Sequence, residues 1–136
     1  LTMIRVRPGS EFYRGTLRSG QVLESVSSVV IVGDVNPGAK IISQGNIVVL
    51  GALKGNAYAG QAGEATVLSL ALEMDPIQIQ IGDILAKSPD HKKMKPRRLR
   101  RKEKTPVTPE AQIAVAKGGN IYIEPVTRGS LNDYTR

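Results

Sequence analysis

The sequence predicts an all-β fold, a three-sided parallel β-helix (a solenoid) with about 18 residues per turn. Three observations carry this. An aliphatic residue recurs at every sixth position from Leu17 through Leu23, Val29, Val35, Ile41, Ile47, Leu53, Ala59, Ala65, Ala71 and Ile77. Ala, Val, Ile and Leu fill about a third of all positions, so such a run arises by chance about once in 10⁵ in a given frame. Glycines echo a period of eighteen: Gly15, Gly33 and Gly51 form one series, Gly45 and Gly63 another, and Gly82 falls one residue late. Finally, the chain is 40% hydrophobic but only 4% aromatic, with one Phe and no Trp. A core of small aliphatic side chains suits strands stacked in tight, repeated layers.

Each side of the predicted prism is a short strand ending in a bend. Asn36-Pro37-Gly38 is such a bend, because Pro presets φ and Gly accepts positive φ. Alternation along the strands then sorts the faces. With Val29 and Ile31 inward, Val30 and Val32 point outward; with Ile47 and Val49 inward, Val48 and Leu50 point outward. The next turn adds Leu68, and Leu70 once a one-residue slip is allowed. This outward aliphatic face is expected to be a homodimer interface, the alternative being cover by the N-terminal residues or the tail. Residues 17–86 make roughly four turns, and 111–126 supply a final pair of strands in which Gly119-Asn120-Ile121 repeats Gly45-Asn46-Ile47. An amphipathic helix competes over 65–75, but glycine spacing and strand propensity favour strand. Residues 1–12 are expected to be an expression scar, because Gly9-Ser10-Glu11-Phe12 is what two adjacent cloning sites commonly encode. A native strand is the alternative there, since Ile4 and Val6 alternate with charge. The domain proper is then 13–126, with a basic linker at 87–106 and a polar, flexible tail at 127–136.

Composition excludes several kinds of chemistry. With no Cys there is no disulfide framework and no thiolate site, which fits a reducing compartment. The single His, His91, makes a His-based catalytic or metal cluster within one chain untenable. No apolar run approaches the ~20 residues that span a bilayer, and no secretory signal is visible. Gly51 to Gly60 is glycine-rich but lacks the Gly-Lys-Ser/Thr ending of a phosphate loop. Ser19 has no nucleophile-elbow context, and Asp34, Glu64, Glu73, Asp75 and Asp83 are scattered. No catalytic residue, cofactor or metal is expected. The one enzyme alternative is a hexapeptide-type solenoid acyltransferase with His91 as base. His91, however, sits inside Asp90-His91-Lys92-Lys93, where nothing rigid holds it.

Charge is concentrated rather than spread. The chain carries a net +7, but Lys87, Lys92, Lys93, Lys95, Arg97, Arg98, Arg100, Arg101, Lys102 and Lys104, against Asp90 and Glu103, place +8 within residues 87–104. The remainder is therefore nearly neutral. Three readings stand for this segment: a solvated loop, an electrostatic contact with anionic lipid or an acidic protein, and a nucleic-acid site. No aromatic is interleaved for base stacking, so no nucleic acid is expected.

The most informative short stretch is Arg18-Ser19-Gly20-Gln21, at a bend just after the first column residue. Stacking at eighteen lays Asn36-Pro37-Gly38-Ala39 over it, then Lys54-Gly55-Asn56-Ala57. Arg18, Asn36 and Lys54 then form a polar column flanked by small residues, a candidate docking edge with one Arg as anchor. A solvated corner is the alternative.

Three segments together resemble a known family: Tyr13-Arg14-Gly15-Thr16-Leu17-Arg18-Ser19-Gly20-Gln21, Val32 to Ala39, and Gly45 to Gly55. With the ending Gly119 to Pro125, they are similar to the C-terminal domain of the septum site-determining MinC proteins. The resemblance covers roughly 13–86 and 109–125. It implies a right-handed β-helix, a homodimer and no catalysis. It also implies docking on the membrane-bound, ATP-loaded cell-division ATPase MinD, with Arg18, Ser19, Gly20 and Gln21 at the contact. Asn36 and Lys54 join that site only by the stacking argument. Inhibition of FtsZ ring assembly, possible direct FtsZ contact and recruitment from the cytoplasm to the inner face of the cell membrane through MinD follow from the same resemblance. The linker at 87–106 departs from the family in being longer and more basic.

Overall fold

Residues one turn apart pair edge to edge, and that stacking builds the molecule. The computed structural model describes residues 2–6, 12–60, 68–87 and 111–127. In chain order the strands are β1 (Thr2–Arg5), β2 (Phe12–Arg14), β3 (Gln21–Ser25), β4 (Val29–Val32), β5 (Lys40–Ser43), β6 (Ile47–Leu53), β7 (Asn56–Ala59), β8 (Leu68–Met74), β9 (Gln78–Ile81), β10 (Ile84–Lys87), β11 (Gln112–Lys117) and β12 (Asn120–Pro125). From β1 to β9 successive strands alternate between two walls. One sheet runs β1-β3-β5-β7-β9-β10 and the other β2-β4-β6-β8-β11-β12. The third wall is only one residue deep in pairing, with bridges Leu17–Val35 and Val35–Leu53. Pairing is parallel from β1 through β9 in the first sheet and from β2 through β8 in the second.

The period-six column fills the interior. Leu17, Leu23, Val29, Val35, Ile41, Ile47, Leu53, Ala59 and Ala71 are all buried. Val49, Ala57, Ile79, Ile81, Met74 and Ala114 complete the same core. Full burial of each larger aliphatic side chain contributes about 1.5–3 kcal/mol. Ala65 lies outside the described residues.

Ile77 departs from the expected column. It is 47% exposed, while Ile79 and Ile81 point inward. The cause is an uneven turn length. Val29 pairs with Ile47, eighteen residues on, but Ile41 pairs with Ala57 and Ile47 with Ser69. One turn is therefore two residues short and the next four residues long. A shift by an even number keeps inward residues inward, so alternation survives as far as Ala71; an irregularity between Val49 and Ala52 then shifts the register by one, so that Leu53 pairs with Met74, twenty-one residues on, and Met74 rather than Glu73 is buried. The long turn carries Ile77 onto a bend, where its amide donates to Gly55 O at 3.0 Å. The same unevenness corrects the expected overlay at the third corner. Asn56 and Ala57 are strand residues opposite Lys40 and Ile41, not corner residues over Gly38 and Ala39.

Winding stops through reversals. β10 folds back antiparallel on β9, β11 lies antiparallel on β8, and β12 closes that sheet antiparallel to β11. The expected final strand pair over 111–126 is this β11–β12 hairpin. Its outer strand carries Glu124, paired with Lys117 at 3.1 Å, and ends at Pro125. Charge and proline on an edge discourage further strand addition. At the other end, Thr2–Arg5 pairs in parallel with Gln21–Glu24. Residues 2–6 thus lie on the solenoid, whatever their origin. His91, the linker beyond Lys87 and the tail beyond Thr127 lie outside the described residues.

Two close fits hold the turns together. A Cβ on Gly51 would fall on the Gly33 carbonyl oxygen, and one on Gly33 on that of Gly15. Asp34 Oδ1 locks the same corner by accepting from the Ala52 amide at 2.8 Å. At the corner between the sheets, buried Ser43 donates to Ser27 O at 2.9 Å, and Ser28 Oγ accepts from the Asn46 amide at 2.9 Å. Ser69 differs: its hydroxyl is buried inside β8 with no hydrogen-bond partner among the described residues.

Two stability outcomes follow. Ser69→Ala removes an unsatisfied buried hydroxyl and is expected to raise unfolding free energy by about 1 kcal/mol, read from the urea midpoint. Gly51→Ala meets backbone rather than a movable side chain, so a loss of about 1–3 kcal/mol is expected in the same titration.

Candidate functional site

The corner between the third wall and the first sheet is built from main-chain bonds. Each turn leaves its bridging residue, and the next residue's amide donates one turn back. The Asn36 amide donates to Leu17 O at 2.9 Å, that of Lys54 to Val35 O at 2.8 Å, and that of Asp75 to Leu53 O at 2.9 Å. Arg18, Asn36, Lys54 and Asp75 are therefore stacked by backbone geometry. The polar column read from the sequence is present, with a fourth, acidic member that the sequence reading missed. A period of eighteen points from Lys54 to Leu72, whereas the long turn, less the one-residue register shift between Val49 and Ala52, brings Asp75 into place. Lys54 also lies 3.9 Å from Glu73, an exposed and hence weak ion pair.

Arg18 to Gln21 form a tight turn at the first level. The Gln21 amide donates to Arg18 O at 2.9 Å, and Gln21 Oε1 accepts from the Arg18 amide at 2.7 Å. The Gln21 side chain thus closes its own turn, as an N-terminal cap closes a helix. Gly20, at φ +88, permits the reversal. Its amide donates to Gly38 O at 3.0 Å, fixing the turn to the Asn36–Ala39 turn below. Gly38, at φ +90, lies against Ser19, whose side chain would collide with any Cβ there. Arg18 and Ser19 are exposed, and Gly20, Gln21, Asn36 and Lys54 are half-buried. Among the described residues no ion pair engages the Arg18 guanidinium, so a fixed backbone presents an uncommitted cation.

The second surface is the outward face of the sheet containing β4, β6 and β8. Val30 pairs with Val48, and Val48 with Leu70, so these three are adjacent across the strands as expected. Val32 and Leu50 lie beside them, 40% and 44% exposed. Leu68 is in β8 opposite Val115, and its side chain is outside the description. Leu70 differs from the expectation of a bare residue, for it packs on Ile113 and Val115, which form a second buried cluster with Val126 alongside. The uncovered part of the face is therefore shifted toward the first turns. Two further exposed residues belong to it: Phe12, paired with Val30 on the first turn, and Leu72 on β8, one alternation beyond Leu70. Alternation alone would have found Leu72. Phe12 was set aside with the first twelve residues.

Among the described residues no group of His, Asp and Glu side chains is arranged to hold a metal ion. A rigid corner whose Arg has no ion pair among the described residues, and an apolar sheet face, are surfaces suited to binding. Comparison with known proteins gives the family. The family described as septum formation inhibitor MinC, C-terminal domain, matches residues 11–126. A probable septum site-determining protein MinC of Agathobacter rectalis is 66% identical over 122 residues, covering 90% of this chain and 49% of the relative. Its counterpart in Lachnospira eligens is 48% identical over 122 residues, covering 90% and 48%. A solved chain from the MinC:MinD cell division protein complex of Aquifex aeolicus superposes with a TM-score of 0.66 at 28% identity, over 97% of this chain and 94% of that one. The chain belongs to the MinC C-terminal domain family, whose members are division inhibitors and not enzymes. That membership sets aside the acyltransferase alternative. The chain spans about half the length of the curated relatives it matches.

The closure by Gln21 can be checked directly. Gln21→Ala is expected to speed hydrogen exchange at the Arg18 amide about tenfold while lowering global stability by no more than about 1 kcal/mol.

Proposed function

We propose that this chain is the targeting half of a division inhibitor. It homodimerises through the aliphatic face at Val30, Val32, Val48 and Leu50, and docks on ATP-loaded MinD through Arg18, Ser19, Gly20 and Gln21, with Asn36 and Lys54 extending the contact. Docking places the inhibitor at the inner face of the cell membrane, where the whole protein opposes FtsZ ring assembly. The observation that carries this reading is the Arg18–Gln21 turn, closed by its own Gln21 side chain and tied to Gly38, with Arg18 exposed and without an ion pair among the described residues. Support comes from the solved relative, which is described as part of a MinC:MinD complex. No helix among the described residues is long and apolar enough to cross a membrane, so in this reading the membrane is reached through the partner.

A dimer carries two such corners. Once one is engaged on a MinD-covered membrane, the second binds at a high effective concentration, and avidity exceeds the single-site affinity. Flat apolar side chains suit the dimer contact because they lose little rotamer entropy on burial.

Co-sedimentation with MinD on lipid vesicles tests the docking. Binding with ATP and not with ADP is expected, and Arg18→Ala is expected to weaken it by about tenfold or more, the loss typical of an anchoring Arg. Equal binding of the variant would remove the corner from the contact. Analytical ultracentrifugation tests the dimer: the double variant Val48→Asp, Leu50→Asp is expected to sediment at half the mass of the unaltered chain. An unchanged mass would overturn the assignment of that face.

A further inference from the structure

The docking turn has a neighbour that its role in docking does not explain. Strand β1 lies along the edge of β3 that faces away from β5. Its Thr2 amide donates to the carbonyl of Gly20, a residue of the turn itself, at 2.9 Å. The Val6 amide donates to Glu24 O at 3.1 Å, so the pairing runs the length of β3. Ile4 stands opposite Leu23, and both Ile4 and Val6 pack against the core. Arg5 approaches Glu24 at 3.5 Å on the outer face. Thr2 is nineteen residues from Gln21 and Phe12 is eighteen from Val30, so residues 2–6 and 12–14 each add one further strand to their sheet.

A parallel solenoid whose first turn began at β3 would leave a row of unpaired donors and acceptors there. In a parallel strand, alternate residues direct both their N–H and C=O to the same side. Gly20 O and Glu24 O accept from β1, which places Val22 and Glu24 on that edge, while Ser25 O accepts from Gln44 on the β5 side. The requirements of the edge are therefore readable: an extended segment, apolar residues at alternate positions over Leu23, and a basic residue opposite Glu24.

We propose that this edge is a strand-acceptor site, that residues 2–6 are its occupant in the same chain, and that occupancy orders the Arg18–Gln21 turn by fixing Gly20. The turn is thereby coupled to whatever sequence enters the solenoid ahead of it. Only the relevance of that coupling to MinD rests on the docking reading; the acceptor site and the ordering of the turn do not.

Hydrogen exchange on the full chain tests both parts. Two variants are used: Ile4→Pro, which removes a ladder donor, and the double variant Ile4→Asp, Val6→Asp, which removes the apolar contacts. In each, the Val22 and Glu24 amides are expected to exchange about tenfold faster or more, with Leu23 and Ser25 unchanged. The Arg18 and Gln21 amides, which report on the turn, are expected to accelerate with them. Adding the peptide Thr-Met-Ile-Arg-Val, the sequence of residues 2–6, is expected to restore protection in the Ile4→Pro chain. Unchanged exchange at Val22 and Glu24 in both variants, or no restoration by the peptide, would overturn the acceptor site. Faster exchange at Val22 and Glu24 with Arg18 and Gln21 unaffected would overturn the ordering of the turn. Failure of the unaltered chain to bind MinD would count against the docking reading alone.

Discussion

Main-chain hydrogen bonding between successive turns is the constraint on which this molecule depends. Each strand satisfies its backbone by lying on the strand one turn earlier, so no element is stable alone and each turn is positioned by the one before it. The walls are short, and the third is reduced to the bridges at Leu17, Val35 and Leu53. The aliphatic column holds the walls together from inside, but hydrogen bonding sets the spacing at which its residues meet. The requirement for close approach explains the small residues at the corners. Wherever one turn must rest on the carbonyls of the last, as Gly51 does on Gly33, a side chain has no room.

The candidate docking corner inherits its rigidity from this stacking. Arg18 is presented by a turn held in three ways: by the side chain of Gln21, by the Gly20–Gly38 bond, and by the Gly20 carbonyl's acceptance of Thr2. A side chain anchored on so constrained a backbone loses little backbone entropy when a partner binds. The apolar face of the other sheet uses the same geometry differently. Parallel in-register stacking brings outward residues of successive turns side by side, so a few aliphatic positions per turn add up to a continuous surface. The burial of Ile113 and Val115 limits that surface on one side, and the N-terminal turns extend it on the other through Phe12.

The ends of the solenoid are treated unequally. One is closed by antiparallel reversals and a strand with an ion pair and a terminal proline. The other is closed by a parallel strand from the N-terminal residues. A reversal can only finish a solenoid, whereas a parallel strand continues it, so the N-terminal end takes its stability from the segment supplied to it.

The wall strands, the inward column as far as Ala59 and the stacked corner at Arg18 and Asn36 were legible in the sequence, because alternation and glycine spacing are local properties that a rigid repeat reproduces turn after turn. The family, too, was legible in Arg18-Ser19-Gly20-Gln21 and the segments around it. What the period of six did not reveal is how much chain each corner consumes. Two residues lost before Asn56 and six gained before Ser69 leave the inward–outward pattern intact as far as Ala71, so the hydrophobic signal continues while the register moves, and a one-residue shift within β8 moves it once more. That is why Ile77 was placed inside when it lies on a bend, and why Asp75 was not seen beneath Lys54. The sequence by itself determined the class of fold and the faces of its strands. Only the tertiary structure decided which residues share a corner, how each end is closed and which part of the apolar face is covered, because these depend on pairing between distant turns rather than on any repeat within one.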